Sequence, residues 1–217
     1  MFTGIKRLFK KSTYGETWIN RSGDWYTKIH DSNYLLHEDF MNYLKNKKDV
    51  RAILEIGCGT GVYPIENKEL FSNVEYTGLD ISETSIEYCK KNSSMKFICG
   101  DFIKMNINEE YDLVFSHAVI DHVYDVDTFT KKIVKTCRKY AYLNSYRGYF
   151  PNIPEHKMNW SNKDGCYYND VSVIQLRKVL LESGLHEDEF VIRAQKSGQI
   201  EKNLDTQLVV EITKKLD

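Results

Sequence analysis

Leu54-Glu55-Ile56-Gly57-Cys58-Gly59-Thr60-Gly61 decides the fold, because an apolar run ends there in three alternate glycines. Such a run reads as a buried strand, and the glycines let the backbone turn sharply into a helix while a ligand approaches the main chain. Val74 to Asp80 is a second apolar run, closed by a carboxylate. A strand, a tight glycine turn and an acidic residue closing the next strand form the two ends of a nucleoside pocket, with the carboxylate placed to take both ribose hydroxyls.

Spacing narrows the ligand. A dinucleotide fingerprint puts its third glycine three residues after the second, where the helix packs closely on the strand, but that position is Val62. The glycines run Gly57-x-Gly59-x-Gly61 with Glu55 just ahead. This form suits a ligand without phosphate, since a pyrophosphate needs a helix N-terminus pointed straight at it. Further motifs follow in order: Thr77-Gly78-Leu79-Asp80-Ile81-Ser82, then Cys99-Gly100-Asp101-Phe102, then Tyr111-Asp112-Leu113-Val114-Phe115-Ser116.

From Val50 to Asn144, about half the chain, these motifs resemble the class I S-adenosylmethionine-dependent methyltransferases. The resemblance implies that cofactor and a set of contacts. Glu55, Gly57, Cys58, Gly59 and Gly61 would lie against its methionine part, Asp80 and Ile81 at the ribose, Asp101 at the adenine amino group and Phe102 at the ring edge. Ser116 would join them from the end of the fourth strand, after which the family places substrate-facing residues. The family's Pro-Gly-Gly turn before the fifth strand is missing. Lys135-Thr136-Cys137-Arg138-Lys139 reads instead as helix running straight into Tyr140.

Strands are predicted over 52–56, 74–80, 95–99, 111–115 and 140–144, with Pro64 in the first turn of the helix after the glycines. Ser82 caps a helix reaching about Lys91, with Ile86 and Cys89 facing inward. A late helix spans 172–183 and is stopped by Gly184. The segments 189–194 and 207–213 close the chain as a hairpin. The expectation is an α/β, Rossmann-like, mostly parallel seven-stranded sheet with helices on both faces and a C-terminal antiparallel hairpin. Residues 1–49 form an N-terminal helical and lid segment. Residues 50–217 form the cofactor-binding domain, with a substrate loop over 146–171.

Composition sets limits. The 217 residues suffice for one substantial core, and the net charge of −1 offers no basic face for a nucleic-acid backbone. The five cysteines are odd in number and lack the spacing of a zinc or redox motif, so buried thiols in a reducing cytoplasm are expected. No apolar run approaches the roughly 18 residues of a membrane span. Phe2, Ile5, Leu8 and Phe9 fall opposite Lys6, Arg7, Lys10 and Lys11 on a short helix that can lie weakly on an acidic membrane surface or pack on its own protein.

The chemistry is expected just past the fourth strand, in Ser116-His117-Ala118-Val119-Ile120-Asp121-His122-Val123, because parallel sheets bind ligands beyond the carboxyl ends of their strands. Asp121-His122-Val123 resembles the acidic-His-Val sequence of small-molecule methyltransferases. A hydroxyl acceptor needs a base, and His117 or His122, with Asp121 beside them, can supply it. His122 reads equally as a helix-start residue bonded to backbone. Nothing in the spacing of His117, Asp121, His122 and His156 demands a metal. In the long connection, Tyr146, Arg147, Tyr149, His156, Trp160 and Tyr168 suit the faces and hydroxyls of a polar ring, with a satellite cluster covering the sheet edge as the other reading. Arg21 either pairs with the methionine carboxylate or is a solvated surface arginine.

The leading function is methyl transfer to a hydroxyl or amine of a small polar metabolite, a sugar or nucleotide-sugar first. Nucleic-acid or protein methylation is a second reading. A nicotinamide-dependent oxidoreductase or a non-catalytic nucleotide-binding protein is a third. Oligomeric state is left open.

Overall fold

The computed structural model describes residues 13–19, 38–196 and 206–215. The basic helix expected over residues 1–11, and Arg21, lie outside the described residues. Seven strands form one sheet in the order β3-β2-β1-β4-β5-β9-β8. They are β1 (Ala52–Ile56), β2 (Glu75–Asp80), β3 (Lys96–Cys99), β4 (Tyr111–His117), β5 (Cys137–Ser145), β8 (Phe190–Lys196) and β9 (Thr206–Thr213). β1 to β5 pair in parallel, and β9 is antiparallel to both β5 and β8. The expected Rossmann-like α/β sheet with its terminal hairpin is present.

Alternation within β1 builds both core layers. Leu54 and Ile56 face α6 (Val126–Thr136) and α7 (Val173–Glu182), packing with Ile133 and Leu176. Ile53 faces the opposite layer, where α2 (Glu38–Lys45) and α5 (Glu83–Asn92) bury Phe40, Ile86 and Cys89. Burial on both faces explains why these strands read as continuous apolar runs. Ser82 caps α5, its hydroxyl accepting from Ser85 N–H, as the sequence predicts.

Two elements differ from expectation. The helix ends at Thr136, and Cys137-Arg138-Lys139 already belongs to β5. Pairing with β4 overrides helical propensity here, and Arg138 reaches back to the buried Asp112 carboxylate. Lys214 Nζ donates to the carbonyls of Val134 and Cys137, each at 2.8 Å, closing a helix end that has no glycine turn. The long connection also contains a separate antiparallel pair, β6 (Lys157–Ser161) and β7 (Cys166–Asp170). Its turn, Asn162-Lys163-Asp164-Gly165, with Gly165 at φ +61°, is a hairpin signal flanked by aromatic residues that sequence reading passed over.

The register sets Ile56 beside Leu79 and Ser116, and Asp80 beside Cys99. The carboxyl ends of β1 to β4 therefore lie level. The strand order reverses between β1 and β4, and a crevice forms at such a point.

Candidate active site

The glycine turn lines one wall of that crevice. Gly57, Gly59 and Gly61 all have positive φ, which glycine adopts without strain. Gly57 and Cys58 N–H both donate to Leu79 O, tying the turn to β2. A Cβ at Gly57 would stand 2.1 Å from Val119 Cγ2, so the segment after β4 lies directly on the turn. A Cβ at Gly59 would meet nothing within 4 Å, which leaves this backbone open for a ligand. Gly61 starts α3 (Val62–Glu66), where Pro64 occupies the first turn.

Asp80 holds the other end. Its Oδ2 accepts from Gly59 N–H and its Oδ1 from Ser82 N–H, both at 2.8 Å. A carboxylate oxygen can accept more than one hydrogen bond. Ile81 lies under the strap formed by α1 (Glu16–Ile19), within van der Waals reach of a Cβ placed on Gly15. Asp101 is steadied by Ile103 N–H on Oδ1 and by the Tyr124 hydroxyl on Oδ2, each at 3.0 Å.

Four residues expected at the cofactor turn their side chains elsewhere. Glu55 faces the layer behind the turn, where its carboxyl accepts from Tyr76 Oη, and burial raises it to about 8. Phe102 is buried with its ring 5.5 Å from Phe129. Ser116 is 1% exposed and donates to Ile56 O at 3.0 Å, joining β4 to β1. Cys58 is likewise buried, with its thiol side in the rear layer.

After β4 the chain bends at Ala118, whose φ of +58° is a conformation that costs an L residue about 1 kcal/mol or more. This bend sends His117 and His122 to different partners. His117 Nδ1 lies 2.9 Å from Tyr63 Oη. His122 Nδ1 donates to Tyr167 O at 2.8 Å, which leaves Nε2 as the acceptor nitrogen, 3.2 Å from Tyr146 Oη. The rings of Trp18 and Tyr168 stand 5.1 and 5.3 Å from the imidazole.

Asp121 does not share this position. It is fully buried, accepts from the Ser145 hydroxyl and from Tyr146 and Arg147 N–H, and burial raises it to about 6. It latches the chain leaving β5. His156 is also corrected. Its Nδ1 accepts from Ser172 N–H at 2.9 Å and its Nε2 lies 3.2 Å from Asp127, so it pins the start of α7 to α6, and burial lowers its pKa. Tyr149 packs on the core. Arg147 pairs with Asp170 and lies over Tyr168, while Trp160 meets Tyr167 edge to face, so both brace the hairpin. Tyr146 and Tyr168 alone among the expected substrate residues ring His122.

Residues 13–19 run between the start of α5 and the β6–β7 turn. Ser82 and Thr84 hydroxyls donate to Trp18 O and Ile19 O, and Gly15 N–H donates to Gly165 O in the β6–β7 turn. Tyr14 meets Tyr124 at 5.0 Å. Sequence reading missed Tyr63 and Tyr124, whose tyrosines carry no spacing signal. Among the described residues, no group of three His, Cys, Asp or Glu side chains is placed to hold a metal ion. No described helix is long and apolar enough to cross a membrane.

Residues 47–206 match the family described as Methyltransferase domain. The chain belongs to the class I S-adenosylmethionine-dependent methyltransferase family. This methyltransferase is similar to the malonyl-[acyl-carrier protein] O-methyltransferase 2 of Ilyobacter polytropus, 27% identical over 209 residues, 85% of this chain and 73% of the relative. The corresponding enzyme of Priestia megaterium is 37% identical over 87 residues, and the ribosomal protein L11 methyltransferase of Dictyoglomus turgidum 31% over 114. These two alignments span only 32% and 37% of those relatives, and 39% and 51% of this chain. Among solved structures, the plantazolicin methyltransferase BpumL in complex with SAH matches with a TM-score of 0.62 at 14% identity, covering 92% of this chain and 93% of that one. The magnesium protoporphyrin IX methyltransferase of Synechocystis PCC 6803 with bound SAM matches at 0.58 and 15%, covering 92% and 90%. Both share the fold. The open backbone at Gly59, backed by Asp80, fits the methyltransferase cofactor.

Proposed function

We propose that this methyltransferase acts on a hydroxyl or amine of a small polar ring compound, with His122 as the base. When bound, S-adenosylmethionine supplies an electrophilic methyl group on a sulfonium. The chain supplies orientation, which can account for a large share of the rate. On this reading Asp80 takes the ribose hydroxyls, Asp101 the adenine amino group, and the Gly57–Gly61 backbone the methionine part. Within the expected 1–49 segment, residues 13–19 serve as the lid over both ligands, while α2 packs in the core layer behind the sheet. The reading includes a cytoplasmic location, in keeping with four buried thiols.

The orientation of His122 carries the proposal. A carbonyl at Nδ1 holds the ring in the tautomer with its lone pair on Nε2, on the side of Tyr146. With the Tyr63 hydroxyl donating a hydrogen bond to His117 Nδ1, the neutral His117 carries its proton on Nε2 and acts there as a hydrogen-bond donor. The two histidines thereby take different tasks.

Sugars and nucleotide-sugars are the first acceptors to try, followed by phenols, amines and an acyl carrier protein. Mass spectrometry of each mixture with S-adenosylmethionine identifies the methylated product. With that acceptor, His122→Gln should lose turnover and keep cofactor binding, while His117→Gln keeps part of its turnover. Full activity of His122→Gln would overturn the assignment.

A further inference from the structure

Lys132 lies on α6 with its ammonium under the turn that follows Asp101. Its Nζ donates to the carbonyls of Phe102 at 2.5 Å, Ile103 at 2.9 Å and Met105 at 2.5 Å. An ammonium has three protons, and three main-chain carbonyls of one turn take them. The same turn is closed on Asp101, whose backbone carbonyl accepts from Lys104 and Met105 N–H at 3.0 and 2.9 Å. Asp101 Oδ1 accepts from Ile103 N–H while Oδ2 takes the Tyr124 hydroxyl and, at 3.5 Å, the Lys104 ammonium, so the placement of residues 103 and 104 in this turn helps to aim the carboxylate. Met105 is folded against Gly100, where a Cβ would stand 2.2 Å from its Sδ, so any side chain there would have to displace the Met105 thioether. Burial lowers the Lys132 pKa, and the Asp101 carboxylate opposes that effect. A neutral apolar side chain in its place would leave three partly buried carbonyls without their donor.

We propose that Lys132 is the positioning residue for adenine recognition: it touches no ligand, and by holding the 102–105 carbonyls it fixes where the Asp101 carboxylate points. This rests on the reading of Asp101 as the partner of the adenine amino group.

The test is calorimetric binding of S-adenosylhomocysteine and of S-inosylhomocysteine, in which a carbonyl oxygen replaces the adenine amino group. The wild-type protein should prefer the adenine compound by at least about tenfold, because a carboxylate accepts from an amino group and repels an oxygen. Lys132→Met should weaken S-adenosylhomocysteine and leave S-inosylhomocysteine nearly unchanged, so the preference collapses. Lys132→Gln keeps two donors and should lose part of the preference, and it decides the question where the Met variant does not fold. A preference that survives both substitutions, or affinities that fall in equal proportion, would make Lys132 a merely structural residue and overturn the proposal. Equal binding of both compounds by the wild type would overturn the Asp101 reading, and the proposal with it.

Discussion

Alanine substitutions at Gly57 and Gly59 separate the packing of the glycine turn from its ligand-binding role. The two residues have φ of +75° and +52°, so alanine at either enters the left-handed region at about 1–2 kcal/mol. At Gly57 the new methyl also lies 2.1 Å from Val119 Cγ2, and Val119 follows the bend at Ala118 and cannot simply swing away. Overpacking adds about 1–3 kcal/mol, for a total of about 2–5 kcal/mol. At Gly59 the methyl meets nothing, and only the backbone cost of about 1–2 kcal/mol remains, some 2–8 °C in Tm. Its methyl does project into the open side of the turn, where the cofactor would lie. Urea unfolding without ligand and calorimetry with S-adenosylhomocysteine measure the two effects. Gly57→Ala should be the less stable protein, and Val119→Ala should recover part of that loss. Gly59→Ala should stay folded and bind at least about tenfold more weakly, a loss of about 1.4 kcal/mol. Equal stability of the two single variants would refute the packing argument, and full affinity in Gly59→Ala would remove the ligand from this wall.

Burial raises Glu55 from 4.5 to about 8, so between those values the folded chain holds a proton that the unfolded chain has released, and stability falls as pH rises through this window. Glu55→Gln should flatten that decline, measured as urea midpoints at pH 5 and pH 8; parallel slopes in both proteins would contradict it. His156→Ala leaves Ser172 N–H without its acceptor and should cost about 1–3 kcal/mol with cofactor affinity unchanged. Weakened binding at full stability would return His156 to the ligand pocket. Ser82→Ala removes the α5 cap and the hydrogen bond to Trp18 O, costing about 1 kcal/mol and raising hydrogen exchange over residues 13–19. Unaltered exchange there would mean that the strap is held by its other contacts, the Gly15–Gly165 and Thr84–Ile19 hydrogen bonds and the aromatic rings.

The parts legible in the sequence are those whose periodicity is local. β1 runs over the predicted residues, α5 starts after its predicted cap, and the terminal hairpin lies in place, because alternation, capping and turn residues act over a few positions. Cys137 to Lys139 could not be assigned in this way, since their strand conformation comes from pairing with β4 and from the ion pair with Asp112. Site residues divide similarly. Sequence order locates the backbone of Gly57, Asp80, Asp101 and His122 at the strand ends. Side-chain partners at long range decide the rest: Asp121 and His156 are both polar residues in suggestive positions, yet Ser145, Ser172 and Asp127 have already engaged them. His122 is engaged too, but differently: Nδ1 meets a main-chain carbonyl and Nε2 meets Tyr146, a residue of the expected substrate loop.

Thermal unfolding with S-adenosylhomocysteine, and separately with NADH, tests the cofactor assignment that supports everything else. At about a hundred times its dissociation constant a ligand of the folded chain adds roughly 2.7 kcal/mol, or some 5 to 11 °C for a domain of this size. The account predicts such a shift with S-adenosylhomocysteine, its loss in Asp80→Ala, and none with NADH. No shift with S-adenosylhomocysteine in protein shown to be free of bound ligand, or a shift with NADH, would contradict it.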